Sequence, residues 1–234
     1  ADHIAGTIES ALRAISDIGG EVILADSHST DETVKIASRY PIKIAQLNRP
    51  QDQCCGVGAQ LGYQFSTGKY VCIVDGDMEL VDGFVVDAIT YLEKNPSIAG
   101  IGGRVVDKNF ESLEFQARQL RTPENLQPGI VDRLDGGGVY RRSAIESIGY
   151  FTNKNLHSFE EYELGVRLRS AGWTLKRLPA NAVLHFGHKT EAFTLLLRRW
   201  QSGYALGLGE LLRSSFGKPY FSMVLRELKV LRLY

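Results

Sequence analysis

Apolar residues in the first half of the chain recur in two patterns, one typical of amphipathic helices and one typical of buried strands. Residues 4–15 carry apolar side chains at the spacing of one helix face. Residues 21–25 and 70–74 are short, almost wholly apolar runs, as expected for strands that are buried on both faces of a sheet. The first expected helix starts at residue 4 and ends near Gly19 and Gly20, the other expected helices cover residues 34–37, 56–65 and 81–94, and the expected strands cover residues 21–25, 42–47, 70–74 and 98–106.

The alternation of these elements predicts an α/β fold with a doubly wound, mixed but mainly parallel sheet and helices on both faces. In such sheets, ligands bind at the carboxyl ends of the strands. Asp26 and Asp75 each follow directly on a predicted strand. Their positions therefore predict that both residues face a ligand.

The second half of the chain is less regular, and we expect it to form a second lobe of the same domain. No change of composition marks a linker between the halves. The expected divisions are residues 1–107, residues 108–213 and an amphipathic extension over residues 214–234. Helices are expected over residues 111–121, 160–171 and 191–212, and strands over residues 139–141 and 182–186.

Composition and charge narrow the classes of function. The chain has 27 Lys and Arg against 27 Asp and Glu, and this balance argues against nucleic-acid binding, which needs a basic surface. The three cysteines include no C-x-x-C pair and are expected to be reduced thiols of a cytoplasmic protein. No signal peptide is visible, and no apolar run reaches the roughly 18 residues of a membrane span.

The end of the sequence allows two interpretations. Residues 216–234 mix apolar residues with basic ones such as Lys218 and Arg226. A helix with this composition can lie on a membrane surface, which would place the protein at the cytoplasmic face of a membrane. The alternative is an ordinary amphipathic helix that packs on the domain.

Asp75, Gly76 and Asp77 form the first candidate site. The two carboxylates follow a predicted buried strand and are separated by one glycine, so both can turn toward the same hard cation. Such a cation bridges diphosphate oxygens and stabilises negative charge on a leaving group. A surface turn with two acidic residues would have the same pattern, so the motif needs support from its neighbours.

Residues 26–33, Asp-Ser-His-Ser-Thr-Asp-Glu-Thr, provide that support. They resemble the D-S/D-G-S-T-D-x-T signature of family 2 glycosyltransferases, an inverting family with the nucleotide-diphospho-sugar transferase (GT-A) fold. The resemblance implies that Asp26, with Ser27 beside it, binds the nucleoside of a nucleotide-sugar donor. It also implies that the segment Asp75–Asp77 binds the diphosphate through Mn²⁺ or Mg²⁺. His28 stands where the family has glycine, so the backbone of this turn is expected to differ.

The resemblance extends over nearly the whole chain, with two departures near its start. Residues 1–12 are similar to the first helix of the family, but the strand that precedes this helix is not in the sequence. A sheet without that strand would expose unpaired backbone groups, so we expect preceding residues to supply it. Residues 58–62 correspond to the family's A-R-N-x-G stretch without its arginine, which leaves a diphosphate contact from that helix open. The resemblance assigns nucleotide-sugar binding to residues 1–107 and acceptor binding and catalysis to residues 108–213.

Residues 158–165, Ser-Phe-Glu-Glu-Tyr-Glu-Leu-Gly, resemble the family's E-D-x-E-L motif at a helix start. The second acid of that motif is the general base, which implies this role for Glu161, with Glu160 on the acceptor side. Glu161 replaces the usual aspartate and is one methylene longer. Since a base must come within ~3 Å of the hydroxyl, its backbone is expected to lie further from the acceptor. The alternative role of acids in a first helical turn is to stabilise the helix dipole.

Three further assignments depend on the resemblance. His185 corresponds to the V-x-H position that completes the metal site in many relatives; without the family, a hydrogen-bonded structural role would be the simpler interpretation. Arg199 matches the arginine of the Q-x-x-R-W motif of processive members and is expected to contact the diphosphate, although a solvated helix face with a buried Trp200 explains the pattern equally well. Leu196 replaces the glutamine of that motif, which argues against polymer synthesis. Gly137 and Gly138 border the acceptor site in the family, although a tight turn explains them equally well.

The residues and the resemblance together predict an inverting, metal-dependent, hexosyltransferase-like enzyme. It would move a sugar from a nucleoside-diphosphate sugar to a hydroxyl of a glycan, lipid carrier or glycolipid, and a role in cell-envelope polysaccharide synthesis follows by analogy. One alternative is a nucleotidyltransferase on a related sheet, although the Gly-rich phosphate loop with a lysine that such enzymes usually have is not visible. The other alternative is a non-catalytic relative that binds nucleotide sugars, since Glu161 and the absent arginine depart from the family pattern.

Overall fold

The computed structural model describes residues 2–108, 124–187 and 192–228. Helices and strands alternate through the first of these ranges, as the apolar pattern predicts. The strands are β1 (Ile23–Asp26), β2 (Lys43–Gln46), β3 (Tyr70–Cys72), β4 (Met78–Leu80), β5 (Ile98–Asp107), β6 (Gly129–Val131), β7 (Val139–Arg141) and β8 (Thr174–His185). The helices are α1 (Ile4–Ile15), α2 (Thr33–Ala37), α3 (Cys55–Phe65), α4 (Phe84–Lys94), α5 (Arg142–Ser147), α6 (Glu160–Ser170), α7 (Ala192–Gln201), α8 (Gly207–Ser215) and α9 (Phe221–Glu227).

The strands form two sheets. β1 and β2 pair in parallel, and the remaining strands form a mixed sheet of order β3-β7-β5-β8-β4, with β6 paired to β8. The longest pairing is parallel and joins β5 to β8, from Ile98 opposite Thr174 to Asp107 opposite His185. Strands from both halves of the sequence interleave in this sheet. The predicted mixed α/β sheet is therefore confirmed.

Two apolar clusters cover the two faces of the larger sheet. In the first, Phe84 and Leu92 of α4 pack with Val139 of β7. In the second, Ile145 of α5 packs with Tyr140 of β7 and with residues of α6. The neighbouring residues Val139 and Tyr140 belong to different clusters because side chains alternate between the faces of a strand. Helices thus lie on both faces, as the sequence predicts.

A groove with a volume of about 910 Å³ separates β1 from β3. Most of its lining is the apolar gap between these strands and α1, and only the end at the carboxyl ends of the strands carries Asp26, Asp75, Glu160 and Glu161. These two strands do not pair with each other, and both line the groove together with residues of α1 and α3. In the described residues α1 is the first element, as expected for a sequence that does not contain the family's first strand. The carboxyl ends of β1 and β3 open into the same groove, so they can present side chains to one ligand.

The structure differs from the predicted strands at two places. β8 begins at Thr174, well before the predicted strand over residues 182–186. Its pairing with β5 shifts register between Arg177 and Asn181, and Pro179 lies within this shift. Proline has no N–H for the ladder and interrupts the apolar run, which hides the first part of the strand from a pattern search. The pattern also misses β4 and β6, two strands of three residues each.

The long helix predicted over residues 191–212 is wrong. The chain forms two helices instead, α7 and α8, joined by a 3-10 turn over Tyr204–Leu206. Gly203 precedes this turn with φ 76°, a left-handed conformation that ends α7 and that glycine adopts readily. The helix predicted over residues 111–121 lies outside the described residues.

The described part of the C-terminal extension packs on the domain. Val224 of α9 is buried in one cluster with Leu211 of α8. Arg169, at the end of α6, donates to the carboxylate of Glu227 at 2.9 and 2.8 Å. The packing interpretation therefore applies to α9, and residues 229–234 lie outside the described residues. None of the helices in the described ranges combines the length and the apolar character that a bilayer crossing requires.

Candidate active site

The carboxyl end of β1 provides the first group of the site. Asp26 is the last residue of β1 and only 3% of its surface is exposed. Its carboxylate accepts hydrogen bonds from the backbone N–H of Ser29, at 3.2 Å to each oxygen, and from Gln46 Nε2 at 3.3 Å. These bonds hold Asp26 at the wall of the groove beside Ser27, where both residues can face a nucleoside.

The turn that follows Asp26 contains a strained residue. His28 has φ 71°, a left-handed conformation that favours glycine. The histidine therefore holds the backbone in a conformation that the family's glycine would also adopt. Asp31 accepts a hydrogen bond from the backbone N–H of Thr33 at 3.0 Å, just before α2. The shape of this turn comes from its backbone and from this hydrogen bond.

The Asp75–Asp77 loop between β3 and β4 is held by two other elements. Thr7 Oγ1 of α1 donates to the carbonyl of Gly76 at 3.1 Å. The backbone N–H of Phe186, just after β8, donates to the carbonyl of Asp77 at 2.9 Å. The loop backbone is thus fixed from α1 and from β8, which places the two carboxylates.

Asp75 faces the groove within a concentration of negative charge. Loss of hydration is the main cause that raises the pKa of Asp75 to about 6, and the charges of Asp77 and Asp135 add to it. Gly136 leaves room for this carboxylate, since a Cβ there would lie 3.0 Å from Asp75 Oδ2 and 2.7 Å from Met78 Sδ. A bound cation would stabilise the ionised form of such a carboxylate.

His185 connects the Asp75–Asp77 loop to the sheet. Its Nε2 lies 3.5 Å from Asp77 Oδ2, and its Nδ1 lies 2.8 Å from Asp107 Oδ1. The hydrogen bond with His185 is the main cause that lowers the pKa of Asp77. Hydrogen bonds with Asp107 and then Asp77 raise the pKa of His185 to about 9. The structure therefore brings His185 to Asp77, as the metal-site prediction requires.

Asp75, Asp77 and His185 fit a divalent cation by the chemistry of their donor atoms. Carboxylates suit Mg²⁺ and Mn²⁺, and imidazole extends the set to transition metals such as Mn²⁺. Asp107 on Nδ1 leaves Nε2 turned toward Asp77, which is the usual arrangement of metal-binding histidines. Within the described parts of the chain, no group of three or more His, Cys, Asp or Glu side chains is arranged to hold a metal ion by itself, and this applies to Asp75, Asp77 and His185 as well. An ion held here would need further ligands, and diphosphate oxygens would supply them.

The first turn of α6 brings Glu160 and Glu161 to the groove. Loss of hydration raises the pKa of Glu160, and the charge of Asp75 adds to it. Loss of hydration also raises the pKa of Glu161, well above its usual range, and the charges of Asp135 and Asp75 add to it. A carboxylate with a raised pKa is a stronger proton acceptor once it is ionised, which a general base requires. The role of Glu161 as the base stays a prediction.

Glu163, the third acid of this turn, has a structural role. It is buried and forms an ion pair with Arg167 at 2.8 Å, and it accepts a hydrogen bond from the Tyr150 hydroxyl at 2.8 Å. Arg167 also donates to the carbonyls of Tyr150 and Phe151. This network ties α6 to the preceding loop and leaves Glu163 without access to a substrate.

The sequence patterns do not indicate that two further acids, Asp107 and Asp135, lie at the site. Asp107 ends β5 and orients His185, and Asp135 raises the pKa of Glu161 from beside the glycine run. Asp135 is itself paired with the buried Arg177, whose Nη2 lies 3.0 Å from Asp135 Oδ2. In the sequence, Asp107 is visible as an acid after a predicted strand and Asp135 as an acid before Gly136. The sequence does not show that their partners are His185 and Glu161, because each contact joins distant parts of the chain.

Five predicted residues lie outside the groove lining. Asp77 and His185 adjoin it through the Asp75–Asp77 loop, and the other three, Arg199, Gly137 and Gly138, have other contacts. The guanidinium of Arg199 lies over the ring of Tyr204, 5.1 Å from its centroid. Gly137 and Gly138 are buried, and a Cβ on Gly137 would lie 2.6 Å from Val183 Cγ1. Packing explains both glycines. The diphosphate contact of Arg199 and the acceptor-side role of the two glycines stay predictions.

The groove brings six of the predicted residues together from separate elements. They come from the end of β1, from the loop between β3 and β4, and from the start of α6. The charged members of the lining are Asp26, Asp75, Glu160 and Glu161. Asp77 and His185 are not part of the lining but adjoin it through the Asp75–Asp77 loop. The six residues are Asp26, Ser27, Asp75, Gly76, Glu160 and Glu161.

Two solved structures have the same fold at low sequence identity. Staphylococcus aureus TarS 1–349 in complex with UDP-GlcNAc superposes with a TM-score of 0.66 and 16% identity, over 82% of this chain and 57% of that one. The mannosyltransferase PcManGT from Pyrobaculum calidifontis in complex with GDP-Man and Mn²⁺ superposes with a TM-score of 0.65 and 17% identity, over 97% of this chain and 65% of that one. Both likenesses support the predicted GT-A fold.

Sequence comparisons identify the family. EpsE from Bacillus subtilis (strain 168), which is described as a glycosyltransferase, is 28% identical over 184 residues. The match covers 73% of this chain and 63% of EpsE, so the chain spans less than two thirds of that relative. The model of Glycosyl transferase family 2 matches residues 1–149, which include the turn after Asp26 and the Asp75–Asp77 loop. Since this match covers more than half of the sequence, the chain belongs to glycosyl transferase family 2.

Proposed function

We propose that this chain transfers a sugar from a nucleoside-diphosphate sugar to an acceptor hydroxyl, with inversion at the anomeric carbon and dependence on Mn²⁺ or Mg²⁺. One observation carries most of the proposal: a single groove contains Asp26, Asp75 and Glu161. Asp26 would bind the nucleoside, Asp75 would bind the metal on the diphosphate, and Glu161 would accept the proton of the acceptor hydroxyl.

The donor would lie along the groove from β1 to the Asp75–Asp77 loop. Asp26, with Ser27 beside it, accepts hydrogen bonds from the nucleoside, since its carboxylate is fixed at the groove wall. Asp75, Asp77 and His185 would hold the cation, which neutralises the charge that develops on the diphosphate as it leaves. The two similar structures are complexes with UDP-GlcNAc and with GDP-Man and Mn²⁺, which is consistent with such a donor.

Glu161 is the proposed general base. It accepts the proton of the acceptor hydroxyl, and the resulting oxygen attacks the anomeric carbon while the bond to the diphosphate breaks. The nucleoside diphosphate leaves on the opposite side, so a single displacement inverts the configuration and needs no covalent intermediate. The negative charges of Asp135 and Asp75 favour proton uptake by Glu161, which is the direction this step requires.

The acceptor we propose is a glycan or a lipid-linked glycan of a cell-envelope polysaccharide, bound on the side of Glu160. Glu160 lies in the groove beside Glu161, where a second carboxylate can accept hydrogen bonds from acceptor hydroxyls. We place the enzyme in the cytoplasm, where nucleotide sugars would reach the groove. Contact with a membrane through the C-terminal extension is part of the same proposal.

The test is to incubate the protein with UDP-, GDP-, CDP- and dTDP-sugars and Mn²⁺ and to measure nucleotide release. We expect one donor to be hydrolysed or transferred, and chelation to abolish the reaction. Glu161→Gln should lower kcat by at least about 100-fold and leave donor binding in calorimetry nearly unchanged. Glu160→Gln is the matched control from the same helical turn and should keep kcat within about tenfold.

Other outcomes would redirect the assignment. Tight donor binding without any turnover would identify a non-catalytic relative. Release of pyrophosphate from a nucleoside triphosphate and a sugar phosphate would identify a nucleotidyltransferase. Full activity of Glu161→Gln would remove this residue as the base.

A further inference from the structure

The general-base turn begins at a residue in an unusual conformation. Phe159, directly before Glu160 and Glu161, has φ 66°. Non-glycine residues rarely adopt this left-handed conformation, so the surrounding structure must hold it. The backbone at Phe159 sets the direction in which α6 starts. It therefore also sets where the Glu161 carboxylate lies.

The C-terminal helices hold the two residues before Phe159. Glu210 of α8 accepts a hydrogen bond from the backbone N–H of His157 at 2.9 Å with one oxygen, and its other oxygen lies 2.8 Å from His157 Nδ1. Ser158 is buried, and its hydroxyl donates to the carbonyl of Tyr204 at 2.8 Å. Three hydrogen bonds from residues 204–210 thus converge on His157 and Ser158.

Two glycines let this segment come close. A Cβ on Gly203 would lie 3.1 Å from His157 Cδ2, and a Cβ on Gly207 would overlap the Ser158 hydroxyl. The backbone of residues 203–207 is therefore shaped to lie directly on His157 and Ser158. Side chains at either position would push the segment away and lengthen the hydrogen bonds of Glu210.

We propose that Glu210 is a positioning residue for the general base: by binding His157 through both carboxylate oxygens, it fixes the Phe159 turn and thereby the carboxylate of Glu161. This inference rests on the proposed function, because Glu161 needs a fixed position only if it accepts a proton. A base that is displaced by a fraction of an ångström loses rate without loss of donor binding, since the donor is held by β1 and by the Asp75–Asp77 loop.

The chain offers a matched control at the other end of the same helix. Glu227 binds Arg169, at the end of α6, through two hydrogen bonds of 2.9 and 2.8 Å. Like Glu210, Glu227 belongs to one of the C-terminal helices. Each of the two carboxylates makes two contacts with one residue, Glu210 with His157 just before α6 and Glu227 with Arg169 in α6. The exposed fractions of their side chains are also similar, at 16% for Glu210 and 25% for Glu227. Glu227 also accepts a hydrogen bond from the Tyr162 hydroxyl at 3.3 Å, but all these contacts are to the ends of side chains and none is to the backbone at the start of α6. Its loss should therefore affect stability and leave the base in place.

The experiment measures kcat and KM for the hydrolysis of UDP-N-acetylglucosamine and of GDP-mannose with Mn²⁺ in five forms of the protein. These are the wild type, Glu161→Gln, Glu210→Ala, Glu210→Gln and Glu227→Ala. We expect Glu210→Ala to lower kcat by about 10- to 100-fold with KM for the donor within about twofold. Glu210→Gln, which can still accept the His157 N–H, should recover kcat to within about threefold of the wild type. Glu227→Ala should keep wild-type kcat even if its melting temperature falls as much as that of Glu210→Ala.

The outcomes separate this role from the proposed function. Loss of activity in Glu161→Gln with wild-type kcat in Glu210→Ala, or an equal loss of kcat in Glu227→Ala, would overturn the role of Glu210 alone. Wild-type kcat in Glu161→Gln would overturn both proposals. Amide exchange in the ligand-free protein tests the positioning without a donor: residues 158–163 should exchange at least about tenfold faster in Glu210→Ala than in Glu227→Ala. Equal exchange rates would overturn the role of Glu210.

Discussion

Asp107 and His185 are direct neighbours at the ends of the parallel strands β5 and β8, and Asp107 Oδ1 lies 2.8 Å from His185 Nδ1. The other ring nitrogen of His185 faces Asp77 Oδ2 at 3.5 Å. Asp107 therefore sets the orientation of the ring that the Asp75–Asp77 loop meets. A carboxylate in this position raises the basicity of a histidine and orients its other nitrogen for a cation.

We predict that Asp107→Asn weakens Mn²⁺ binding by about 10- to 100-fold, because the ring of His185 loses its charged partner. Calorimetric titration of the protein with Mn²⁺ in the presence of UDP or GDP measures the change. The same substitution should lower the pKa of His185, which proton NMR of the metal-free protein reports. Asp82→Asn is the control, since Asp82 is exposed and pairs only loosely with Arg13, at 3.4 Å. Unchanged Mn²⁺ affinity in Asp107→Asn would show that His185 does not need this partner.

We also predict that His185 makes the stability of the metal-free protein depend on pH. Its pKa is raised from 6.5 to about 9, first by the hydrogen bond with Asp107 and then by that with Asp77. Because the folded state holds the proton more tightly than the unfolded state, this contribution is complete below pH 6.5 and is lost as the pH rises through about 9. It amounts to at most about 3 kcal/mol.

Urea unfolding with a chelator, at a series of pH values across this range, measures the effect. The free energy of unfolding should fall more steeply with pH in the wild type than in His185→Asn. Other groups that titrate in this range are the same in both proteins, so the difference between the two curves isolates His185. Parallel curves would mean that His185 is not protonated preferentially in the folded state.

Gly136→Ala should disturb the metal site through packing. A Cβ at this position would lie 2.7 Å from Met78 Sδ and 3.0 Å from Asp75 Oδ2, so either the loop or the carboxylate must move. We expect a loss of about 1–3 kcal/mol of stability together with weaker Mn²⁺-dependent nucleotide binding. Gly209→Ala is the matched control, because a Cβ there meets no atom within 4 Å. Thermal unfolding and calorimetry on both variants test this, and wild-type nucleotide binding in Gly136→Ala would contradict it.

Arg167→Leu should destabilise the fold without a specific effect on the site. Arg167 and Glu163 are both buried and paired at 2.8 Å, so removal of the arginine leaves a buried carboxylate without its partner. The expected loss is about 3–5 kcal/mol in the free energy of unfolding. Arg13→Leu removes an exposed partner instead and should cost less than about 1 kcal/mol. Urea denaturation of the two variants compares them, and equal losses would show that the buried pair contributes no more than a surface pair.

Much of the fold and part of the site could be predicted from the sequence, because the signals are local. The apolar spacing over residues 4–15 predicts α1 with an end near Gly19 and Gly20, whereas the observed helix ends at Ile15. The position of Asp26 after a predicted strand and the glycine between Asp75 and Asp77 predict residues of the groove, although the sequence does not show their contacts. The apolar pattern does not predict β4, a strand of three residues, or the first part of β8, whose pairing with β5 shifts register. The single long helix predicted near the C-terminus is wrong because Gly203 takes a left-handed conformation that ends α7, and the backbone there lies close to His157.

The sequence by itself determined which acids stand at strand ends and helix starts, and it carried the motifs that place the chain in glycosyl transferase family 2. Only the tertiary structure decided that Asp107 meets His185, 78 positions later, and that Glu210 meets His157, 53 positions earlier. The physical reason is that periodicity and turn chemistry act within a few residues, whereas these contacts depend on which strands pair and on where the C-terminal helices pack. The charge around Glu161 arises in the same way, from carboxylates that approach one another only when the sheet has formed.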